Sequence, residues 1–310
     1  MSTATRIEWT RGDDGSAGAT WNPVTGCTKV SEGCDHCYAA TLARRLKAMG
    51  NPRYQHDGPD GPGFRVTLHP DKLTQPLGWR TPRRVFVNSM SDLFHDQVPD
   101  AFIAGVFAVM ALAHRHTFQV LTKRPGRMAS LLARPAFLAD VVARATSLLE
   151  SKPRFHRRLS TEGWTVTADS DPTMPLWVPP WPLHNVWLGT SVEDQGWATV
   201  RLAKLAQTPA VVRFASCEPL LDPVDLRRWL TGGLEWVIAG GESGPGHRPV
   251  DPPWVRSIRD QATAAGVAFF FKQWGGPTPG AGGRLLDGRT WDQYPPTGAE
   301  ATTDQRQGAR

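Results

Sequence analysis

The sequence lacks the features from which membrane-spanning and disulfide-stapled proteins are built. It contains no apolar run of eighteen residues, so a membrane-spanning helix is excluded on length. It has four cysteines in 310 residues, too few for the disulfide framework of a small secreted protein. Residues 1–11 are polar and do not form an apolar signal segment. These absences predict a reduced, cytoplasmic protein with no membrane partner.

The excess of positive over negative charge is also small. The formal net charge is +6, which permits an anionic partner such as nucleic acid or a phosphorylated metabolite but does not require one. The chain is long enough to bury a large core without metals or disulfides. One α/β barrel domain is compatible with this length.

What the sequence does contain is a cluster of cysteines. Three of the four, Cys27, Cys34 and Cys37, fall within eleven residues with the spacing C-x6-C-x2-C. This spacing places three soft thiolate donors on a short glycine-containing loop that can enclose a metal or an iron-sulfur cluster. An iron-sulfur site of this kind leaves one coordination position open, whereas zinc needs a fourth ligand from His36, a distant histidine or Cys217. Structural or redox-active cysteines are the third interpretation.

Short apolar runs rich in β-branched residues alternate with helical patterns along the chain. Each run has the length of a buried strand, and the segments between them carry apolar residues at helical spacing. This alternation predicts an α/β fold with a parallel sheet, arranged as a partial (β/α) barrel of about six core strands. The predicted strands are 84–88, 117–121, 185–189, 210–214, 235–239 and 267–271, and the first helix, 38–49, follows the cysteine loop.

Polar side chains follow every predicted strand. In a parallel barrel the carboxyl ends of the strands open onto one face, so these groups would converge on one site together with the cysteine loop. The alternative is that each of them is only a solvated loop residue or a helix cap. The polar segments are 88–92, 122–125, 190–194, 216–219, 240–244 and 272–275.

Two segments fall outside the alternating pattern. Residues 151–183 are rich in Arg, Pro and Trp and are predicted to be an insertion, in which Arg154, His156, Arg157 and Arg158 either contact phosphates or are plainly solvated. We therefore predict a barrel domain over 1–276, with its cysteine loop at 22–38. The extension at 277–310 is predicted to contain a small hairpin at Asp287-Gly288 and to end in disorder beyond 297.

The cysteine loop and several strand ends resemble the radical S-adenosylmethionine superfamily, most closely its spore photoproduct lyase-like branch. The loop Asn22-Pro23-x-x-Gly26-Cys27 to Cys34-x-x-Cys37-Tyr38-Ala39 is similar to that branch's loop, and Ser91-Asp92, Leu121-Thr122-Lys123 and Ser191 fall at related strand ends. The segments 218–221, 240–244 and 271–275 are similar to a narrower family, the three-Cys-motif proteins of phages and bacteria. The resemblance covers about residues 19–275. One departure is the first gap of six residues, where the superfamily commonly has three.

The resemblance implies a partial barrel of the radical S-adenosylmethionine type and a specific chemistry. Cys27, Cys34 and Cys37 would hold a four-iron four-sulfur cluster whose open iron binds S-adenosylmethionine. An external electron donor, similar to flavodoxin or ferredoxin, would reduce the cluster, and cleavage would yield a 5′-deoxyadenosyl radical that takes a hydrogen atom from substrate. The expected substrate is a nucleic-acid base, a nucleotide or another anionic metabolite.

The resemblance also assigns roles to single residues. Ser91 and Asp92 would hold the methionyl amino group, although Asp92 is alternatively a turn cap and Tyr38 alternatively only the start of a helix. Cys217 is a candidate hydrogen-atom donor at a strand end, with a small buried apolar residue as the alternative. The other expected cofactor-binding residues are His36, Tyr38, Lys123, Ser191 and Glu193, and the expected substrate residues are Glu218, Glu242, Lys272 and Gln273.

A second class of function is compatible with the same residues. A non-catalytic zinc or iron-sulfur module could bind nucleic acid through the basic insertion and the aromatic loops. The polar groups after all six predicted strands favour an enzyme, because a binding module does not need polar groups gathered at one end of a barrel.

Overall fold

The computed structural model describes residues 4–5, 7–151, 163–166 and 177–296. Its main sheet has seven parallel strands that follow one another in chain order and curl into a half-barrel. These strands are β1 (Ala19–Trp21), β4 (Arg84–Val87), β5 (Thr117–Thr122), β8 (Val186–Ser191), β9 (Val212–Cys217), β10 (Trp236–Gly240) and β11 (Ala268–Gln273). Two small antiparallel pairs lie outside it: β2 (Val24–Thr25) with β3 (Thr67–Leu68), and β6 (Thr165–Val166) with β7 (Trp177–Val178).

The parallel α/β arrangement predicted from the sequence is confirmed, and the sheet has one more strand than expected. All six predicted runs are strands of the main sheet. The additional strand is β1, whose three residues pair with β4 at the sheet edge, from Ala19 opposite Val85 to Trp21 opposite Val87. Three residues are too short for a periodic signal, and their partner is remote in the chain. This edge strand leads directly into the cysteine loop.

In chain order, each described α-helix lies between two consecutive strands of the main sheet. The helix α3 is buried along nearly its whole length, because it packs between the sheet and α5. No described helix is long and apolar enough to cross a membrane. The helices are α1 (Tyr38–Ala48), α2 (Pro70–Leu73), α3 (Asp100–Leu112), α4 (Pro125–Leu132), α5 (Pro135–Ser151), α6 (Gln195–Leu205), α7 (Arg227–Leu230) and α8 (Pro252–Ala264).

The inner, concave face of the sheet carries an aromatic cluster at its amino-terminal end, which we call the floor. The ring centroids of Trp9 and Phe86 are 4.6 Å apart, and those of Trp236 and Tyr294 are 5.4 Å apart. Gly189 of β8 makes room for this packing, because a Cβ there would lie 2.5 Å from the Phe214 ring. The buried members of the floor are Trp9, Phe86, Trp187, Val212, Phe214, Trp236, Ile238 and Phe270.

Both ends of the described chain close this floor. Trp9 comes from the amino-terminal segment and Tyr294 from the carboxyl-terminal one, and the Tyr294 hydroxyl donates to the Glu8 carbonyl over 3.2 Å. Leu286 is fully buried in the main core. Leu286 and Tyr294 therefore attach the segment 277–296 to the barrel. The hairpin predicted at Asp287-Gly288 is confirmed by the bridge between Leu286 and Arg289 and by φ angles of 52° and 81°.

Some sequence predictions lie outside the described residues. Of the predicted insertion, residues 163–166 and the part from 177 onwards are described, and the basic group at 154–158 is not among them. The predicted disorder beyond 297 falls in the same category.

Candidate functional site

The cysteine loop begins beside the carboxyl end of β4. The Gly26 N–H donates to the Met90 carbonyl over 2.9 Å, and Gly26 forms a parallel bridge with Ser91. Gly26 has a φ of 82°, and a Cβ there would lie 2.1 Å from the Arg65 carbonyl oxygen, so only glycine fits. The helix α1 starts at Tyr38, immediately after Cys37. All three loop cysteines thus lie at the mouth formed by the carboxyl ends of the strands.

The loop thiols are half-buried, and one of them contacts a cation. Burial and, to a smaller extent, the Asp92 carboxylate raise the pKa of Cys27 to about 12, against the opposing effect of Arg124. The Arg124 Nη1 lies 3.4 Å from the Cys27 sulfur, and its Nη2 donates to the Thr28 carbonyl over 3.1 Å. Burial also raises the pKa of Cys37, against hydrogen bonds from nearby backbone N–H groups.

The number and type of ligand atoms on the loop indicate which kind of metal centre the loop could hold. Within the described residues, no three His, Cys, Asp or Glu side chains converge as the ligands of a single ion would. Cys27 and Cys37 nevertheless pack against the same small buried cluster, which includes Ala39 and Met90, and Cys34 lies three residues before Cys37. In a four-iron cluster each thiolate binds a different iron, so the donors surround a body rather than one point. Three soft thiols fit such a cluster better than a closed zinc site, which needs four ligands.

Ser91 and Asp92 are both engaged in holding the mouth together. The Ser91 hydroxyl donates to the Val24 carbonyl over 2.8 Å. The Asp92 carboxylate accepts the Thr122 hydroxyl at 2.7 Å, the Phe94 N–H at 3.0 Å, the Lys123 N–H at 3.0 Å and Arg124 at 3.2 Å. The bond to Phe94 corresponds to the capping role. Asp92 thus connects the ends of β4 and β5, and both of its oxygens already accept hydrogen bonds.

Lys123, Glu193 and Ser191 lie together at the ends of β5 and β8. Glu193 is fully buried and is paired with Lys123 and with Arg201, whose Nη1 lies 2.7 Å from Oε2. The Ser31 hydroxyl of the cysteine loop also donates to Glu193 over 3.0 Å. Arg201 Nη1 bonds the Ser191 carbonyl at 3.0 Å as well. Glu193 therefore anchors the cysteine loop to β8 through an ion-pair network.

A second anchor holds the next residue of the loop. Arg248 donates to both oxygens of Glu242, at 2.6 and 2.8 Å, and its Nη2 also reaches the Glu32 carbonyl at 2.8 Å. Burial opposes ionisation of Glu242, but the Arg248 hydrogen bonds hold its pKa below the ordinary value. His36 lies against Gly246, where a Cβ would be 3.1 Å from its ring. His36 and Glu242 are thus brought to the same side of the mouth.

The wall opposite β4 carries an ion pair that faces the mouth. Lys272 Nζ lies 2.9 Å from Glu218 Oε1, and the Ser216 hydroxyl donates to Glu218 Oε2 over 3.1 Å. Gly240, between the two strands, leaves room for this pair, since a Cβ would lie 2.7 Å from Glu218 Oε1.

Tyr38 reaches from the cysteine loop to the β4 end, where its hydroxyl donates to the Ser89 carbonyl over 2.6 Å. Its ring is 53% exposed.

Cys217 and Gln273 are not brought to this mouth. Strand alternation turns Cys217 to the outer face of the sheet, where it is fully buried in the main core and burial raises its pKa. Gln273 is engaged elsewhere: its Nε2 donates to the Ser243 hydroxyl at 2.7 Å and its Oε1 accepts the Gly280 N–H at 2.9 Å. The position of Cys217 gives the hydrogen-donor interpretation no support.

Three residues of the site were not singled out from the sequence. Arg124 stood within a predicted polar segment, so its position after a strand was a usable signal. Arg201 lies on α6 and Arg248 in the segment after β10, and their contacts with Glu193 and Glu242 arise only when the chain folds. Nothing in local periodicity marks them.

The fold and the site together define a parallel α/β half-barrel with a three-cysteine loop anchored at its mouth. A comparison with protein families matches residues 4–295 to the family described as "Protein of unknown function (DUF5131)". The chain belongs to this family. Comparison of this chain with curated proteins and with solved structures found no match.

Proposed function

We propose that the protein is a radical S-adenosylmethionine enzyme that holds a four-iron four-sulfur cluster on Cys27, Cys34 and Cys37. The observation that carries the proposal is the position of these thiols on a loop between the edge strand β1 and α1, at the carboxyl-end mouth of a parallel half-barrel. When bound, the reduced cluster would supply the electron that cleaves S-adenosylmethionine to a 5′-deoxyadenosyl radical. The electron would come from an external donor similar to flavodoxin or ferredoxin.

The residues around the loop support this proposal by their chemistry. Arg124 is a hydrogen-bond donor to the Cys27 sulfur at 3.4 Å, and such donors stabilise anionic sulfur ligands. Two anchors, Glu193 with Ser31 and Arg248 with Glu32, hold adjacent residues of the loop, and Arg124 holds the Thr28 carbonyl nearer Cys27. A loop held by groups from several strand ends keeps a cluster in one orientation relative to the barrel interior.

The walls of the mouth are suited to binding a polar substrate. The Glu218 carboxylate and the Lys272 ammonium lie 2.9 Å apart. A substrate that carries both a cation and an anion can pair its cation with Glu218 and its anion with Lys272, in place of their pairing with each other. The aromatic floor seals the far end of the interior. A reactive intermediate formed at the mouth would be separated from water on that side.

The test is anaerobic reconstitution with iron and sulfide, because the chain contains its own control cysteine. Cys27→Ala, Cys34→Ala and Cys37→Ala should each lose most of the bound iron and the visible absorption of the cluster, since each removes one thiolate ligand. Cys217→Ala should retain the iron of the parent protein, because Cys217 lies in the core on the outer face of the sheet. With S-adenosylmethionine added, production of 5′-deoxyadenosine after reduction should follow the iron content in all four variants.

Two results would contradict the proposal. Full iron content in any of the three loop variants would remove that cysteine from the ligand set. One equivalent of zinc, without visible absorption or 5′-deoxyadenosine, would instead favour a non-catalytic metal module.

A further inference from the structure

Arg124 lies between β5 and α4, and its side chain is only 11% exposed. Its Nη1 donates to the Cys27 sulfur over 3.4 Å and to an Asp92 oxygen over 3.2 Å. Its Nη2 donates to the carbonyl and the hydroxyl of Thr28, over 3.1 and 2.9 Å. Each of these two nitrogens carries two N–H groups, so all four N–H groups have an acceptor. The guanidinium is therefore fixed with one N–H group on the sulfur.

The backbone of Arg124 is held at the same place. Its N–H donates to the Thr122 hydroxyl over 2.8 Å, and that hydroxyl donates to Asp92 over 2.7 Å. Asp92 also accepts the N–H of Lys123 over 3.0 Å. The β5 end and the Arg124 side chain are thus bound to one buried carboxylate. A cation held by both its backbone and its side chain keeps a constant distance from Cys27.

The three loop sulfurs differ in the groups that donate to them. Arg124 gives Cys27 a cationic donor, whereas Cys34 lies 3.9 Å from the neutral hydroxyl of Ser31. The sulfur of Cys37 receives hydrogen bonds from nearby backbone N–H groups, which are also uncharged. Within the part of the chain that the structure describes, the contact between a cation and a loop sulfur is confined to Cys27.

We propose that Arg124 is a positioning residue that acts through Cys27 to raise the reduction potential of the cluster, and that the paired Asp92 limits this effect. Hydrogen bonds to the sulfurs and burial set the potentials of iron-sulfur clusters. Reduction adds one negative charge, so a fixed cation on a ligand sulfur stabilises the reduced form more than the oxidised form. The inference rests on the proposed function for the cluster, and it adds how the chain regulates reduction by the external donor.

The two charges of this pair should shift the potential in opposite directions. Arg124→Gln removes the positive charge beside Cys27, so the potential should fall. Asp92→Asn removes a negative charge that contacts the same Nη1 atom, while Arg124 keeps its two hydrogen bonds to Thr28, so the potential should rise. Damage to the fold does not predict shifts of opposite sign.

The experiment is an anaerobic redox titration of the reconstituted full-length proteins, followed by visible absorption without S-adenosylmethionine. In Arg124→Gln the ratio of reduced to oxidised cluster at a given potential should fall about tenfold, which is about 59 mV for a one-electron couple. In Asp92→Asn the ratio should rise. Arg124→Lys keeps the charge and should stay within about threefold of the parent protein.

A matched control removes the same two charges at an exposed ion pair. Arg227 and Asp225 form such a pair, with side chains 75% and 49% exposed. Solvent and salt screen charges at this position, so Arg227→Gln and Asp225→Asn should both keep the potential of the parent protein. Equal shifts in the two arginine variants would overturn the proposal, because the effect would then be one of net charge alone.

The remaining outcomes also decide the proposal. A potential in Arg124→Gln within about threefold of the parent ratio, or shifts of the same sign in Arg124→Gln and Asp92→Asn, would overturn it. If Arg124→Gln holds no cluster, a higher potential in Asp92→Asn together with a parent-like Arg124→Lys supports the proposal, and any other result overturns it. Loss of the cluster in all three variants would show that both side chains are structural.

The iron content of the parent protein separates this inference from the proposed function. A parent protein that binds no iron would overturn the proposed function, and the inference would fail with it. A parent protein that holds the cluster, with variants that give negative titrations, would overturn the inference alone.

Discussion

Glu193 is the residue whose loss should have the largest effect on folding among the polar groups of the site. Its carboxylate is fully buried and pairs with Arg201, which is itself 1% exposed. In Glu193→Ala, the Arg201 guanidinium keeps only the Ser191 carbonyl and the Trp197 ring, 4.1 Å away, as described partners. Removing one partner of a buried pair leaves an uncompensated charge and costs about 3–5 kcal/mol.

The expected loss can be checked by urea unfolding at neutral pH. We expect Glu193→Ala to lower the free energy of unfolding by about 3–5 kcal/mol, whereas the double variant Glu193→Leu/Arg201→Met should recover most of the loss because both fully buried charges are removed and the Lys123 side chain is 19% exposed. Asp225→Ala is the control. It removes an exposed ion pair with Arg227, and such pairs contribute about 0–1 kcal/mol.

Two results would refute this reasoning about Glu193. A loss below about 1 kcal/mol in Glu193→Ala would show that the buried pair contributes no more than an exposed one. A double variant no more stable than the single one would show that the cost does not arise from the unpaired Arg201.

Two further predictions concern the packing and pH dependence of the barrel. Burial lowers the pKa of His116 to about 4 in the folded protein, against about 6.5 in the unfolded chain. The unfolded state therefore binds the proton first as the pH falls, and the free energy of unfolding should decrease by up to about 3 kcal/mol between pH 6.5 and pH 4. His116→Phe should remove that fraction of the pH dependence in urea unfolding; an unchanged difference between the two proteins from pH 7 to pH 4 would contradict it. Gly189→Ala should cost about 1–3 kcal/mol because its Cβ would meet the Phe214 ring at 2.5 Å. Gly126→Ala, on α4 with no atom within 4 Å of the added Cβ, should be neutral or stabilising in the same assay; equal losses at both positions would refute the clash.

The sequence was most informative where structure is periodic. All six buried strands were recognisable because their apolar, β-branched runs are local features, as were helices such as α3 and α8. The edge strand β1 was not, because its existence depends on pairing with β4, more than sixty residues away. The clustering of the loop cysteines at the mouth follows from that strand. The thiols could be recognised from the sequence, whereas the strand that positions them could not.

Within the site, strand ends were predictable but the direction of each side chain was not. Glu218 and Cys217 are neighbours in the chain and lie on opposite faces of the sheet, as do Lys272 and Gln273. Which face is the interior depends on how the whole sheet curls. The anchoring contacts of Arg201 and Arg248 depend likewise on the packed structure, because each joins segments that are distant in sequence or belong to different elements.

The aromatic floor has a consequence for the order in which the chain can fold during synthesis. Trp9 is synthesised before every strand of the main sheet, yet the rings next to it include Phe214 of β9 and Trp236 of β10, and Phe270 of β11 and Tyr294 belong to the same packed cluster. Domains generally fold from the amino terminus while synthesis continues. Here the amino-terminal indole has no finished binding place until almost the entire barrel has been made. The nascent chain must therefore carry an unburied Trp9 until at least β10 has been made, and the barrel closes at its first and last described segments together.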